Sequence, residues 1–108
     1  MNISIDREAL AKSVQDVMKA VSTKTTIPIL TGIKLTATAR GVTLTGSDSD
    51  ISIESFIPLE KEGRLLVDVK SPGSIVLQAR FFAEIVKKLP QQTVEIEIED
   101  NCLTVIRS

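Results

Sequence analysis

The feature of this sequence that most constrains its fold is an internal repeat. When Ile3 is aligned with Ile75, 72 positions later, the apolar positions of the two halves coincide. Seven pairs match, all apolar with apolar: Ile3 with Ile75, Ile5 with Leu77, Ala9 with Phe81, Leu10 with Phe82, Ala11 with Ala83, Val14 with Val86 and Val17 with Leu89. Such a repeat predicts that one supersecondary unit is used twice. The alternative is a chance match, because helical spacing alone produces some of these coincidences.

Each half is predicted to form a strand, a helix and then further strands. Alternating and helical spacings divide the first half into a strand (2–6), a helix (7–21) and three strands (29–39, 42–45 and 51–57). The second half gives a strand (74–78), a helix (80–89) and two strands (93–99 and 102–106). A charged loop (58–63) and a short strand (65–69) join the halves. The unit is therefore strand–helix–strand–strand–strand, and the second copy stops at Ser108, one strand early.

The hairpins of the two halves also match. Residues 33–44 mirror residues 94–105, and a turn at Arg40-Gly41 stands opposite a turn at Asp100-Asn101. Asp6 is placed to cap the first helix. Helical spacing predicts these inward-facing residues: Leu10, Val14, Val17, Met18 and Val21 on the first helix, and Phe82, Ile85, Val86 and Leu89 on the second, with Phe81 partly buried. The pattern predicts an α+β fold in which two helices pack on antiparallel sheets.

Length and composition indicate a single globular domain. The chain has 108 residues, of which 43% are apolar and 25% charged. It contains no apolar run of about 18 residues, which predicts no membrane span. Its first residues lack the apolar core of a signal peptide, and its single cysteine, Cys102, cannot form an internal disulfide. Together these features favour a cytoplasmic protein.

The residue types also exclude some functions. Without histidine, His-based acid–base or nucleophilic catalysis is impossible, and an enzyme based on paired carboxylates is disfavoured because a Gly-rich phosphate loop is missing. We expect no enzymatic activity, no cofactor and no metal. Asp48 and Asp50 fit a hydrogen-bonded turn better than a metal site, and Cys102 fits a small core residue better than a nucleophile.

Four segments resemble the first domain of the bacterial DNA sliding clamp, the beta subunit of DNA polymerase III, and are closest to clamps of Gram-positive type. They are the loop-to-strand segment Thr-Thr-Ile-Pro-Ile-Leu-Thr-Gly (25–32), the strand-turn-strand Gly-Ser-Asp-Ser-Asp-Ile-Ser-Ile-Glu (46–54), the second helix with Arg-Phe-Phe and Lys-Lys-Leu-Pro (72–90), and the penultimate strand (104–108). None of the four segments is a catalytic signature. Their order and spacing together make the resemblance to this family specific.

The resemblance implies a duplicated β-α-β-β-β domain, the first of three similar domains in each subunit. Two subunits would join head to tail into a ring that encircles duplex DNA without sequence specificity and tethers the polymerase at replication forks. The polymerase and the clamp loader would bind later domains, which this chain lacks, and the last strand of the first domain would be missing as well.

The resemblance also implies site residues. The helices would line the central hole, so the candidate DNA-binding residues are Lys24, Lys12, Lys19, Lys87 and Lys88, with Lys24 the strongest candidate. Lysine attracts phosphates without reading sequence. The acidic strand with Glu95, Glu97 and Glu99 would face outward, which reconciles a DNA-facing role with a net charge of −1. The alternative is that these lysines are only a solvated surface, and Asp16 and Glu84 weaken the positive field among them.

Arg80 and Arg107 are candidates for the dimer interface, since the resemblance places both near the edge that meets the other subunit. The unpaired sheet edge after Ser108 is expected to promote pairing with another copy. The competing function is a small α+β protein-interaction module with no DNA role. The location of charge discriminates the two, because a DNA-facing surface requires helix faces that are positive rather than apolar.

Overall fold

A computed structural model of the chain describes residues 1–20, 32–47, 52–89, 91–99 and 104–107. Within these residues the elements are, in order, β1 (Asn2–Asp6), α1 (Arg7–Met18), β2 (Gly32–Thr38), β3 (Gly41–Ser47), β4 (Ser52–Pro58), β5 (Glu60–Lys61), β6 (Arg64–Leu65), β7 (Val67–Ser71), β8 (Gly73–Gln78), α2 (Ala79–Lys88), β9 (Thr93–Ile98) and β10 (Thr104–Arg107). Helix α1 ends at Met18, with Lys19 as its C-cap, so the predicted helix end at Val21 is wrong by three residues. The predicted strand start at position 29 lies outside the described residues. None of the described helices is long and apolar enough to cross a membrane.

Two antiparallel sheets of four strands carry the repeat. The first sheet has the order β10-β9-β1-β7, and the second has the order β4-β3-β2-β8. The first strand of each copy therefore pairs with a strand of the other copy: β1 lies beside β9, and β8 lies beside β2. This exchange confirms the duplicated unit predicted from the sequence. It also makes the two copies one folding unit, because neither sheet is complete without both.

Alternation along the strands places one apolar face of each sheet in a common core. In the first sheet, Ile3 and Ile5 of β1 lie opposite Ile96 and Val94 of β9. In the second sheet, the fully buried set is Ile33, Leu35, Val42 and Leu44. Both helices pack against the apolar faces of the sheets and complete the core. The opposite face of each sheet is turned to solvent.

Helix α1 begins at the predicted cap and packs on the second sheet. The Asp6 carboxylate accepts a hydrogen bond from the Ala9 backbone N–H at 3.0 Å. Leu10, Val14 and Val17 are buried as predicted. A Cβ atom at position 46 would lie 2.4 Å from the Val17 carbonyl oxygen, so glycine in β3 is what allows the helix to approach the sheet.

Helix α2 differs from the prediction on its flank. Phe82 and Val86 are buried, but Ile85 is 38% exposed and Phe81 is 62% exposed, so the predictions that Ile85 faces inward and that Phe81 is partly buried are wrong. In the repeat, Ile85 corresponds to Ser13 of α1. Ser13 is 5% exposed because β4 lies over it, and its Oγ is 2.8 Å from the Oγ of Ser55. Among the described residues, no strand occupies the corresponding place beside β10.

The second hairpin has a different register from the predicted one. Leu35 lies opposite Leu44 in the first hairpin, whereas Ile96 lies opposite Ile106 in the second. The counterpart of Leu44 is therefore Ile106 and not Val105, so the predicted match of residues 33–44 with 94–105 fails in the returning strand. Thr104 lies opposite Ile98, whereas a two-residue turn at Asp100-Asn101 would place residue 103 there. Such a slip exchanges the two faces of a strand.

The segment between the copies is more ordered than the predicted charged loop. Residues 58–63 contribute to a small hairpin in which β5 pairs with β6. Glu62 (φ 55°) and Gly63 (φ 79°) form its left-handed turn. Arg64 Nη2 donates to Asp6 Oδ1 at 2.6 Å, which ties this hairpin to the start of α1.

Candidate nucleic-acid interface and subunit edge

The exposed face of α1 carries two of the predicted DNA-binding residues. Lys12, Asp16 and Lys19 are spaced four and three residues apart, so they lie on one face of the helix. Lys12 and Lys19 are exposed, and Lys19 Nζ is 4.0 Å from Asp16 Oδ1. An exposed pair at this distance is weak and screened by salt. Lys19 therefore stays accessible to a phosphate, although Asp16 lowers the local positive potential, as predicted.

The exposed face of α2 is more strongly basic. Arg80 and Lys87 are seven residues apart and share a face, and Lys88 follows in the last turn. All three are exposed, as is Glu84. Three cations against one carboxylate give this helix a positive outer surface. The basic last turn also opposes the partial negative charge of the helix C-terminus.

A shallow groove joins the two helix faces. It has a volume of about 210 Å³ and is lined by Ala11, Val14, Gln15, Met18, Ala83, Val86 and Lys87. Lys87 therefore lies where the two helices meet, and small side chains on both helices allow them to approach. The lining of the groove is mainly apolar, and its polar members are Gln15 on α1 and Lys87 on α2.

The acidic residues lie on the other side of the domain. Glu95 and Glu97 alternate in β9 with the buried residues Val94 and Ile96, so their side chains project from the face of the first sheet that is turned away from the core. Asp68, on β7 of the same sheet, is exposed too. Carboxylates therefore predominate on this sheet and cations on the helices, and Glu95 and Glu97 face outward as the sequence predicted.

The Arg107 guanidinium forms hydrogen bonds with two carboxylates of the same domain. Its Nε donates to Glu95 Oε2 at 3.1 Å and its Nη2 donates to Glu97 Oε2 at 2.9 Å. The hydrogen bond to Glu95 is the largest cause of a raised pKa for Arg107, and the charge of Glu97 adds to it. Arg80, the other predicted interface residue, lies in the first turn of α2 beside Phe81 and is exposed.

Some predicted residues fall outside the described ones, and some candidates were missed. Lys24, Asp48, Asp50 and Cys102 belong to the first group. Within the described residues, no cluster of three potential metal ligands occurs.

The features that were not predicted from the sequence are the exposed apolar residues Phe81 and Ile85 and the contacts of Arg107. The alternation of Glu95 and Glu97 was a signal for the Arg107 contacts, but the predicted hairpin register does not place Arg107 opposite Glu95, as the structure does.

Comparison with known proteins identifies the family. Residues 1–108 match the family described as DNA polymerase III beta subunit, N-terminal domain. The chain belongs to this family. It is 64% identical over 108 residues to the beta sliding clamp of Bacillus subtilis, covering all of this chain and 29% of the relative. It is 44% identical over the same length to the beta sliding clamp of Staphylococcus aureus, again covering 29% of the relative.

Solved structures of beta clamps share the fold. The DNA polymerase sliding clamp from Bacillus subtilis superposes with a TM-score of 0.95 at 64% identity, covering all of this chain and 28% of that one. The beta subunit from Streptococcus pyogenes gives a TM-score of 0.89 at 38% identity, with the same coverage of both chains. The chain therefore spans less than a third of the length of these beta clamps and matches them throughout its own length.

Proposed function

We propose that this chain is the first domain of a bacterial sliding clamp subunit, the processivity factor of the replicative DNA polymerase. In the proposed assembly, two subunits join head to tail into a ring that encircles duplex DNA without reading its sequence. The subunit has no catalytic role of its own. The polymerase and the clamp loader bind domains beyond this chain, and the protein acts in the cytoplasm at replication forks.

The observation that carries this proposal is the separation of charge between the two sides of a beta-clamp domain. Exposed cations outnumber carboxylates on α1 and α2, and carboxylates outnumber cations on the first sheet. Flexible point charges attract phosphates without fixing a register, which is what a protein that slides along DNA requires. The protein-interaction module without a DNA role is not favoured, because the family match covers residues 1–108.

The exposed flank of α2 supports a further strand in the complete domain. Phe81 and Ile85 lie where α1 has Ala9 and Ser13, and Ser13 is covered by β4. An additional strand that paired with β10 would cover Ile85 in the same way. The matched segment is 29% of the relative, so the longer subunit has further residues from which such a strand could come.

The experiment is a charge reversal in the full-length subunit. Lys87→Glu, at the junction of the two helices, should weaken DNA binding and lower the slope of log affinity against log salt by about 1, since one phosphate contact is lost. The measurement is retention of the subunit on DNA across a salt series.

Lys34→Glu is the matched control, because Lys34 is an exposed lysine on β2, in the second sheet, away from the helix faces. It changes net charge by the same amount and should leave the salt slope nearly unchanged. Equal effects of the two substitutions would show that net charge and not the helix surface governs DNA retention, and the proposal would fail. Lys24→Glu, measured in the same way, tests the residue that the sequence analysis gives as the strongest DNA-binding candidate.

A further inference from the structure

A pocket opens on the first sheet beside the small hairpin of β5 and β6. This hairpin pocket (residues 4–6, 64–68 and 92–93) has a volume of about 230 Å³. Pockets for drug-sized ligands are larger, about 300–1,000 Å³. The hairpin pocket therefore has room for one long side chain rather than for a cofactor.

The positive charge in the lining of this pocket is already paired. Arg64 is the cation that lines it, and its Nη2 donates to Asp6 Oδ1 at 2.6 Å, while the other oxygen of Asp6 accepts from the Ala9 N–H. The Arg7 N–H donates to the Gln92 carbonyl oxygen at 2.6 Å. An anion in the pocket would therefore have to displace existing bonds, both at Arg64 and at the start of α1.

The acceptors of the hairpin pocket are available to a ligand. Ser4 lies opposite Asp68 of β7 on one side and opposite Glu95 of β9 on the other, so the three side chains form a row across the outer face of the sheet. Glu95 is bonded to Arg107, whereas Asp68 is exposed and forms no ion pair with any of the described residues. Lys70, two residues along β7, does not line the pocket. Asp68 therefore supplies a carboxylate that no cation of the lining neutralises.

The lining also has an apolar part that suits the stem of a basic side chain. Leu65 is 61% exposed, and Leu66 and Val67 continue the lining. Lysine and arginine lay their methylene stems along apolar surface and keep the charged head among polar groups. Carboxylates outnumber cations on the first sheet, so its field attracts a positively charged partner.

We propose that the hairpin pocket is a docking site for a basic segment of a partner protein, which inserts one arginine side chain with Asp68 as its counter-ion. A guanidinium donates two parallel hydrogen bonds to a carboxylate and has further donors for the hydroxyls of Ser4 and Thr93. The pocket lies on the first sheet and not on the helix faces, so a partner seated there leaves the proposed DNA-facing surface uncovered. The site can therefore be tested without DNA.

The test measures binding of a fluorescein-labelled peptide, Gly-Arg-Gly-Arg-Gly, to the full-length subunit at low salt by fluorescence anisotropy. Asp68→Asn should raise the dissociation constant about threefold to tenfold, because it removes the counter-ion and keeps the shape of the side chain. Glu54→Gln is the matched control, since Glu54 is an exposed carboxylate on β4, in the second sheet. It removes the same charge and should leave the dissociation constant nearly unchanged. A peptide with lysine in place of arginine should bind more weakly, because an ammonium lacks the planar fork.

Arg64→Gln supplies a change in the opposite direction. It removes a cation from the lining and releases Asp6 Oδ1, so the arginine peptide should bind about twofold more tightly. The proposal is overturned if the wild-type subunit shows no saturable binding of the arginine peptide, or if Asp68→Asn and Glu54→Gln weaken it equally, since the attraction is then general. It is also overturned if a peptide with glutamate in place of arginine binds more tightly and loses its binding in Arg64→Gln, because the pocket then holds an anion.

Discussion

Helices α1 and α2 hold equivalent positions in the repeat but bury different parts of their surfaces. Ser13 of α1 is 5% exposed, whereas Ile85, its counterpart on α2, is 38% exposed. The polar residue is the more buried of the two because β4 covers it and Ser55 supplies a hydrogen-bonding partner. The comparison shows that the strand lying over a helix decides the burial of its flank, while the apolar character of the residue at that position does not.

The starts of the two helices differ as well. Asp6 caps α1 through the Ala9 N–H and also accepts from Arg64. Gln78 occupies the same place before α2 and makes no side-chain capping bond. The first helix is thus fixed at its start by a charged residue that also anchors the hairpin between the copies. The second helix depends on its apolar contacts, chiefly Phe82 and Val86.

The largest expected effect tests the division of α2 into a buried and an exposed side. Phe82→Ala should lower the free energy of unfolding by about 3–5 kcal/mol, because it removes a fully buried ring and leaves a cavity. Phe81→Ala is the matched control one residue away, and it should change stability by about 0.5 kcal/mol or less. Urea unfolding of the chain measures both. Similar losses for the two substitutions would mean that the flank of α2 is covered and that the contrast with α1 is wrong.

A smaller effect tests the difference between the helix starts. Asp6→Ala should lower the free energy of unfolding by about 0.5–2 kcal/mol, because the capping bond to Ala9 is lost. Gln78→Ala should have almost no effect, since Gln78 makes no such bond. Asp6→Asn separates the two functions of Asp6, because asparagine caps as well as aspartate but carries no charge for Arg64. If Gln78→Ala proves as costly as Asp6→Ala, the two starts are equivalent and the comparison fails.

Most of the fold could be predicted because it depends on local pattern. The alternation of β1 and β9, the spacing of Leu10, Val14 and Val17, and the cap at Asp6 all act within a few residues. The offset of 72 positions then showed that the pattern repeats. The register of the second hairpin was mispredicted because it depends on the length of its connection, and one residue there reverses the faces of β10.

The exposed lysines of the candidate site could be predicted from the sequence, whereas the side-chain contacts around it could not. The exposure of Lys12, Lys19, Lys87 and Lys88 follows from their positions opposite the apolar stripes. The exposure of Phe81 and Ile85 does not, because it depends on which strand lies above α2. The contacts of Arg107 with Glu95 and Glu97 required the cross-strand register, which only the three-dimensional structure supplies.

Cross-linking distinguishes a domain whose helices face DNA from one whose sheets do. A photoreactive residue is placed at position 87 on α2 or at position 34 on β2 in the full-length subunit, which is then assembled on circular duplex DNA. We predict cross-links to DNA from position 87, with equal yield on unrelated sequences, and none above background from position 34. Equal or greater cross-linking from position 34 would contradict the proposal that the helices face DNA.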